Sequence, residues 1–223
     1  MVQLSIDTSN VNCAVHLMVH DGPSCEISDE IGRGHAERLI GMIDHVLNEC
    51  GLSPNDITKI AVTIGPGSFT GVRVGLAAAR GYAAALNIPV VGISSLKALS
   101  KKNNAGGSTL VILDAKRDQY YTELFEEHGA SIDGPTLYTK GDELPEAWHQ
   151  QATLALIGTG ADAIASQLPN ASIVSHDAAP AIADVALLGK SLEPDATPPK
   201  PLYLRAADAK PQNPAKIIAR VSS

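Results

Sequence analysis

One strand plan occurs twice in this chain, and it limits the fold more than any other feature. Near the start, Val2, Leu4 and Ile6 alternate with Gln3 and Ser5, the period of a strand, and run into the polar turn Asp7-Thr8-Ser9-Asn10. Cys13, Val15, Leu17 and Val19 alternate in a return strand. The turn signal His20-Asp21-Gly22-Pro23 then precedes a third strand over 24–28. In the second half, Leu110-Val111-Ile112-Leu113 runs into Asp114-Ala115-Lys116-Arg117, and a return strand covers 119–125. Ile6-Asp7-Thr8 thus answers Leu113-Asp114-Ala115. The repetition implies duplication of a whole lobe and not a short solenoid repeat. The polar, glycine-bearing stretch 101–108 is the best boundary. The expected division is 1–104 and 105–223, with the last segment able to pack back on the first lobe.

Between the strands lie helices. Over 36–50, Leu39, Ile40, Ile43, Val46, Leu47 and Cys50 follow the spacing of one helical face, and Gly51 sits where a helix-ending glycine belongs. Ile60, Val62 and Ile64 predict a strand, followed by a glycine-rich loop and a helix over 71–86 that Asn87 and Pro89 close. A short strand over 90–93 precedes a helix capped by Ser94 or Ser95. A strand over 154–157 enters Gly158-Thr159-Gly160-Ala161 and a helix to about 168. Pro180 suits the first position of a helix to about 191, and Pro194, Pro198, Pro199 and Pro201 break regular structure before Leu202-Tyr203-Leu204-Arg205.

Composition excludes several classes. The formal charge is −7, so the overall field does not favour a polyanion. The stretch from Arg205 carries Lys210, Lys216 and Arg220 against Asp208 and reads as a solvated tail. No run approaches a membrane span, and the N-terminal residues lack the basic region of a signal peptide. Cys13, Cys25 and Cys50 show no CxxC spacing; they are expected to be packing residues in a reducing, cytoplasmic setting, with neither a disulfide framework nor a zinc site.

Four places could carry chemistry. Asp7-Thr8-Ser9 places a carboxylate at a strand end beside hydroxyls, a group able to hold hydrated magnesium and cradle phosphate. In an actin-like fold it would face Asp114 across a nucleotide cleft. Gly65-Pro66-Gly67-Ser68-Phe69-Thr70-Gly71 precedes a helix without the Lys of a P-loop. It is a strand-to-helix turn or an anion-binding loop, with Gly65, Gly67 and Gly71 as its structural glycines. The helix that follows carries Gly71, Gly75, Ala78, Ala79, Tyr82 and Ala85 along one side. With the stripe of 36–50 it either covers the sheet or pairs with the same helices of another subunit. His35 has Leu39 four residues on, so no two-histidine metal pair forms there. Ser68 is not in a nucleophile elbow.

Asp7-Thr8-Ser9, His35-x-Glu37, the run from Gly65 to Leu76, Ser94-Ser95-Leu96, Asp114-Ala115, Gly158-x-Gly160-Ala161 and Tyr203-Leu204-Arg205 together resemble the TsaB (YeaZ) family over nearly the whole chain. The resemblance implies an α/β, actin/Hsp70-like (ribonuclease H-like) duplicated two-lobed fold. It also implies a catalytically silent partner of TsaD, the tRNA threonylcarbamoyl transferase, with a TsaE-type ATPase in the assembly and homodimers through the same surface. Leu39, Ile43, Val46, Leu47, Val72, Gly75, Ala78, Ala79 and Tyr82 are the expected interface. Asp7, Thr8, Ser9, Asp114, Gly158 and Gly160 are the expected nucleotide contacts. No tightly bound cofactor is expected; ATP or ADP with magnesium belongs, if anywhere, at the subunit boundary. No metal site is expected, and tRNA is reached only through the complex. The sequence departs from the family's pattern at Ala36, at Lys116-Arg117-Asp118 in place of Arg-Met-Gly, and at Thr159 in place of Asp. The alternative is a stand-alone actin-like ATPase or a glycoprotease-like hydrolase.

Overall fold

The computed structural model describes residues 1–20 and 22–205. Asp21 of the first predicted turn, and Asp208, Lys210, Lys216 and Arg220 of the basic tail, lie outside them. Among the described residues the strands are β1 (Val2–Asp7), β2 (Asn12–Val19), β3 (Ser24–Glu30), β4 (Lys59–Gly65), β5 (Val90–Ser94), β6 (Ser108–Lys116), β7 (Gln119–Phe125), β8 (Thr136–Thr139), β9 (Leu154–Ile157) and β10 (Ala171–Ser175). The helices are α1 (His35–Glu49), α2 (Phe69–Leu86), α3 (Ser95–Ser100), α4 (Glu146–His149), α5 (Ala161–Ala165) and α6 (Ile182–Ser191).

The strands form two five-stranded sheets, ordered β3-β2-β1-β4-β5 and β10-β9-β6-β7-β8. In the first sheet β1, β2 and β3 form an antiparallel meander, and β1, β4 and β5 run parallel. The second sheet repeats this, with β6, β7 and β8 antiparallel and β6, β9 and β10 parallel. The duplication expected from Ile6-Asp7 and Leu113-Asp114 is therefore a duplication of sheet topology. This is the duplicated actin/Hsp70-like, ribonuclease H-like fold.

Each sheet buries both faces, as parallel strands joined by helices require. On the first, Leu4, Ile6, Val15 and Leu17 pack with Leu39, Ile43 and Val46 of α1 and with Val72, Leu76 and Ala79 of α2. Its other face meets α6, where Ile182 and Val185 join Ala14, Ala61, Val91 and Ile93. On the second sheet, Leu110, Ile112 and Leu124 pack with Trp148 of α4 and Ile164 of α5. Its opposite face receives Leu96 and Leu99 of α3. Ala98, on the same short helix, belongs to the cluster under the first sheet. Thus α3 is shared between the lobes, and burying its two leucines stabilises the arrangement by about 1.5–3 kcal/mol each.

The chain returns to the first lobe after the second is complete. Gln3 Nε2 donates to the carbonyl of Ala186, and Gly189 lies so close to Ala61 that a β-carbon there would overlap it. Residues 199–205 then run along α2. Arg80 donates to the Pro199 carbonyl, and the Leu202 N–H donates to the Ile64 carbonyl.

The cysteines require a correction. Cys25 of β3 and Cys50 at the end of α1 are joined in a disulfide, while Cys13 is buried and free. Their separation of 25 residues is bridged by the antiparallel edge strand and the helix after it, which sequence spacing does not reveal. Burial pushes the Cys13 thiol up to about 11, so it stays protonated and packs as an apolar group. With Cys25 and Cys50 paired, the cysteines do not point to a reducing compartment. No helix among the described residues is long and apolar enough to cross a membrane.

Candidate functional site

The turn after β1 is tied by hydrogen bonds to β4, α2 and α3. Asp7, Thr8 and Ser9 are all buried. The Ser9 N–H, the Ser9 hydroxyl and the Thr63 hydroxyl all donate to Asp7 Oδ1, at 2.9, 2.7 and 2.6 Å. Oδ2 is buried without a partner. Burial raises the Asp7 carboxyl above its ordinary range, against the lowering effect of the Thr63 and Ser9 hydrogen bonds. Ser95 of α3 donates to Ser9 Oγ, which ties the connecting helix to the same turn. His35 Nε2 lies 3.0 Å from the Asn10 carbonyl and pins the start of α1 there.

The glycine motif serves this turn. The Ser68 N–H donates to the Ser9 carbonyl at 2.7 Å, and the Thr8 hydroxyl donates to the Gly71 carbonyl at 2.8 Å. A β-carbon on Gly67 or Gly71 would overlap the carbonyls of Ser9 and Thr8, and one on Gly75 would come within 2.5 Å of Thr8 Oγ1. Gly71 and Gly75 lie on one face of α2, which rides directly on the turn, and Gly67 in the preceding loop closes over the same carbonyls. Ser68 caps the helix by accepting from the Gly71 N–H.

Between the lobes lies a cleft of about 650 Å³. Asn10, Gly67, Ser68 and Phe69 line one side, and Asp114, Lys116, Tyr121 and Thr159 line the other; Leu202 to Arg205 border both. Of the six expected nucleotide contacts, only Asp114 lies on this wall. Lys116 Nζ sits 2.7 Å from Asp114 Oδ2, and its hydrogen bond holds that carboxyl below its ordinary range despite partial burial. The Asp114 N–H donates to the Thr159 hydroxyl. Gly158 and Gly160 are buried; side chains there would strike the Ile112 carbonyl and the Tyr120 ring. Magnesium at Asp7 does not fit this fold, because the carboxyl is wholly enclosed and Oδ1 already accepts three hydrogen bonds. Sequence reasoning missed Lys116, Tyr121 and Arg205 as cleft residues. Arg205 reaches the Lys116 carbonyl and Gln119 Oε1 across a separation in sequence that no local pattern signals.

The expected interface also needs correction. Leu39, Ile43, Val46 and Leu47 of α1, and Val72, Gly75 and Ala79 of α2, are buried against the first sheet. They cannot meet another molecule unless the lobe opens. Ala78 and Tyr82 are half-buried, Tyr82 beside Asp44 of α1. The outward faces carry Ile40, Gly41, Ala77, Gly81 and Ala84. Ile40 is 47% exposed, and β-carbons on Gly41 and Gly81 would meet open space. An amphipathic stripe shows which face is apolar; here the sheet covers it.

A hydroxyl, an imidazole and a carboxylate do meet on the first sheet, but not as a hydrolase triad. Ser24 Oγ lies 2.7 Å from His16 Nε2 and Glu26 lies 4.0 Å from the same nitrogen, while Nδ1 is buried without a partner. A triad needs the acid on the opposite ring nitrogen from the serine.

Comparison with known proteins places this geometry. Residues 28–186 match the family described as TsaD, tRNA N6-adenosine threonylcarbamoyltransferase. The TsaB protein of Bacillus subtilis is 37% identical over 127 residues, 56% of this chain and 56% of its own length. The chain thus spans about half the length of that relative. An uncharacterized Mycobacterium tuberculosis protein is 35% identical over 80% of this chain and 79% of its own. A Pseudomonas aeruginosa structure described as similar to the peptidase YeaZ superposes with a TM-score of 0.78 at 27% identity, covering 92% of this chain and 99% of that one. YeaZ of the same organism gives 0.71 at 27% identity over 85% and 90%. Fold, motifs and relatives agree, and the chain belongs to the TsaB (YeaZ) family.

Proposed function

We propose that this chain is a non-catalytic cytoplasmic subunit in tRNA threonylcarbamoyladenosine biosynthesis, docking on and activating a TsaD-type transferase. Likeness to TsaB proteins is the observation that carries the reading. Two structural features support it. The position four residues after His35 is the core leucine Leu39, so α1 cannot present a second histidine to a metal. The outward faces of α1 and α2 carry Ile40, Gly41, Ala77, Gly81 and Ala84 between charged residues such as Glu37, Asp44, Arg73 and Arg80, and the small side chains allow another pair of helices to approach closely. Docking there would stabilise a competent form of the transferase, an effect limited by the difference in affinity for its two forms. The same faces would serve a homodimer when the chain is alone, and a TsaE-type ATPase would join the heterocomplex. ATP or ADP with magnesium, if bound, would meet Asp114, Thr159, Asn10 and Ser68 rather than Asp7.

The test is reconstituted threonylcarbamoyl transfer to tRNA by the TsaD-type protein, with and without this chain. The chain should raise the rate and should hydrolyse neither ATP nor peptide alone. Unchanged transfer, together with hydrolysis by the isolated chain, would make it the stand-alone enzyme.

A further inference from the structure

We propose that the seam between α2 and residues 199–205 is a binding surface for single-stranded RNA on this chain itself. The protein is acidic overall, yet three arginines gather here without a carboxylate partner among the described residues. Arg73 donates through Nε to the Tyr203 hydroxyl, Arg80 to the Pro199 carbonyl, and Arg205 to the Lys116 carbonyl and Gln119 Oε1. Arg38, Lys102 and Lys116, in contrast, are paired with Asp29, Asp177 and Asp114. The arginines of the seam are held in place through neutral acceptors and keep their full charge for an outside anion.

Two aromatic rings stand among them. Phe69 and Tyr203 are 38% and 45% exposed, with centroids 5.1 Å apart, and the Arg73 guanidinium lies 3.7 Å from the Phe69 centroid. Exposed rings interleaved with unpaired guanidinium groups suit a strand that offers both phosphates and unstacked bases. A protein partner would offer carboxylates but no stacked bases. The chain also continues from Arg205 into Lys210, Lys216 and Arg220 against the single acid Asp208, so positive charge persists along the sequence beyond the seam. The choice of RNA over DNA rests on the tRNA-modification reading; the surface itself does not. The seam lies on the side of α2 bearing Phe69, Arg73 and Arg80, opposite Tyr82, and it adjoins Ala77 and Ala84 of the outward face.

The experiment is fluorescence anisotropy of a labelled, unstructured RNA oligonucleotide titrated with the full chain across a salt series. Three phosphate contacts predict a slope of about −2 in log K against log salt. Arg73→Gln with Arg80→Gln should remove most of that slope, and Phe69→Leu should weaken binding about tenfold with little change in slope. Arg73→Lys should keep the slope, and melting curves identify any variant that fails to fold. Ile40→Asp, on the docking face, should bind RNA like the wild type. Absence of binding at the lowest salt, equal binding by the wild type and the double-glutamine variant, or full displacement by ADP alone would overturn the proposal. So would a double variant that loses the TsaD-type partner while keeping RNA. RNA binding without any docking would instead sink the subunit reading and leave this one standing.

Discussion

At the scale of single residues, the glycine motif and Asp7 change meaning once neighbours are known. Gly75 looks like a helix–helix contact in the sequence, but its missing side chain makes room for Thr8. Gly75→Leu should therefore unfold or severely destabilise the first lobe, by more than the ~1–3 kcal/mol typical of overpacking. Thermal melting of the isolated chain checks this; a native melting temperature would contradict the placement of α2 on the turn. Asp7 gives a pH test. Its folded-state pKa is raised, so its favourable contribution is complete below the unfolded value near 3.8 and is lost as pH rises through the folded value. Above the unfolded value, either ionising this enclosed carboxyl or keeping it protonated costs stability. Asp7→Asn keeps an oxygen for Ser9 and Thr63 and removes that titration. Urea midpoints should show the variant gaining on the wild type as pH rises from about 4 to 7, and a gap that widens toward acid would refute this. Lys116, Arg117 and Asp118 all have positive φ, at 65, 58 and 55°. At Asp118, where the family pattern has glycine, Asp118→Gly should stabilise the chain by about 0.5–1 kcal/mol, measurable in the same urea titration.

At the scale of elements, strong periodicity was legible and coverage was not. The alternation in β1 and β2 and the stripe of α1 identified these elements and their apolar sides. β8 and β10 escaped because they are short edge strands with little buried surface, held by β7 and β9 and not by a pattern of their own. The apolar face of α1 was readable, but its partner could not be read, since a sheet and a second subunit demand the same residues from a helix. Ile40 lies outside the core stripe and is the residue that distinguishes them. The pairing of Cys25 with Cys50 escaped for a similar reason: it depends on β3 folding back beside the end of α1. That bond closes a loop over 25 residues and should contribute about 3 kcal/mol. Cys25→Ser, compared with the wild type under non-reducing conditions, should lower the unfolding free energy by about that amount. Equal stability would mean the thiols are unpaired in solution.

At the scale of the molecule, the lobes are joined by shared elements. α3 packs on both sheets, α6 returns to the first, and residues 199–205 bind α2 before Arg205 reaches the second lobe. The cleft is therefore bordered on both sides by elements that join the lobes. Leu99→Ala, which empties part of the buried contact between α3 and the second sheet, should cost about 2–5 kcal/mol. It should lower the midpoint of one common transition; two separate transitions in the wild type would show that the lobes unfold independently. Docking through the outward faces of α1 and α2, as proposed, is tested by light scattering of the chain mixed with the TsaD-type protein, comparing the wild type with Ile40→Asp and Gly81→Arg. The wild type should form a stable heterocomplex and neither variant should, with native melting curves throughout. A complex that persists unchanged in both variants would contradict docking at these faces.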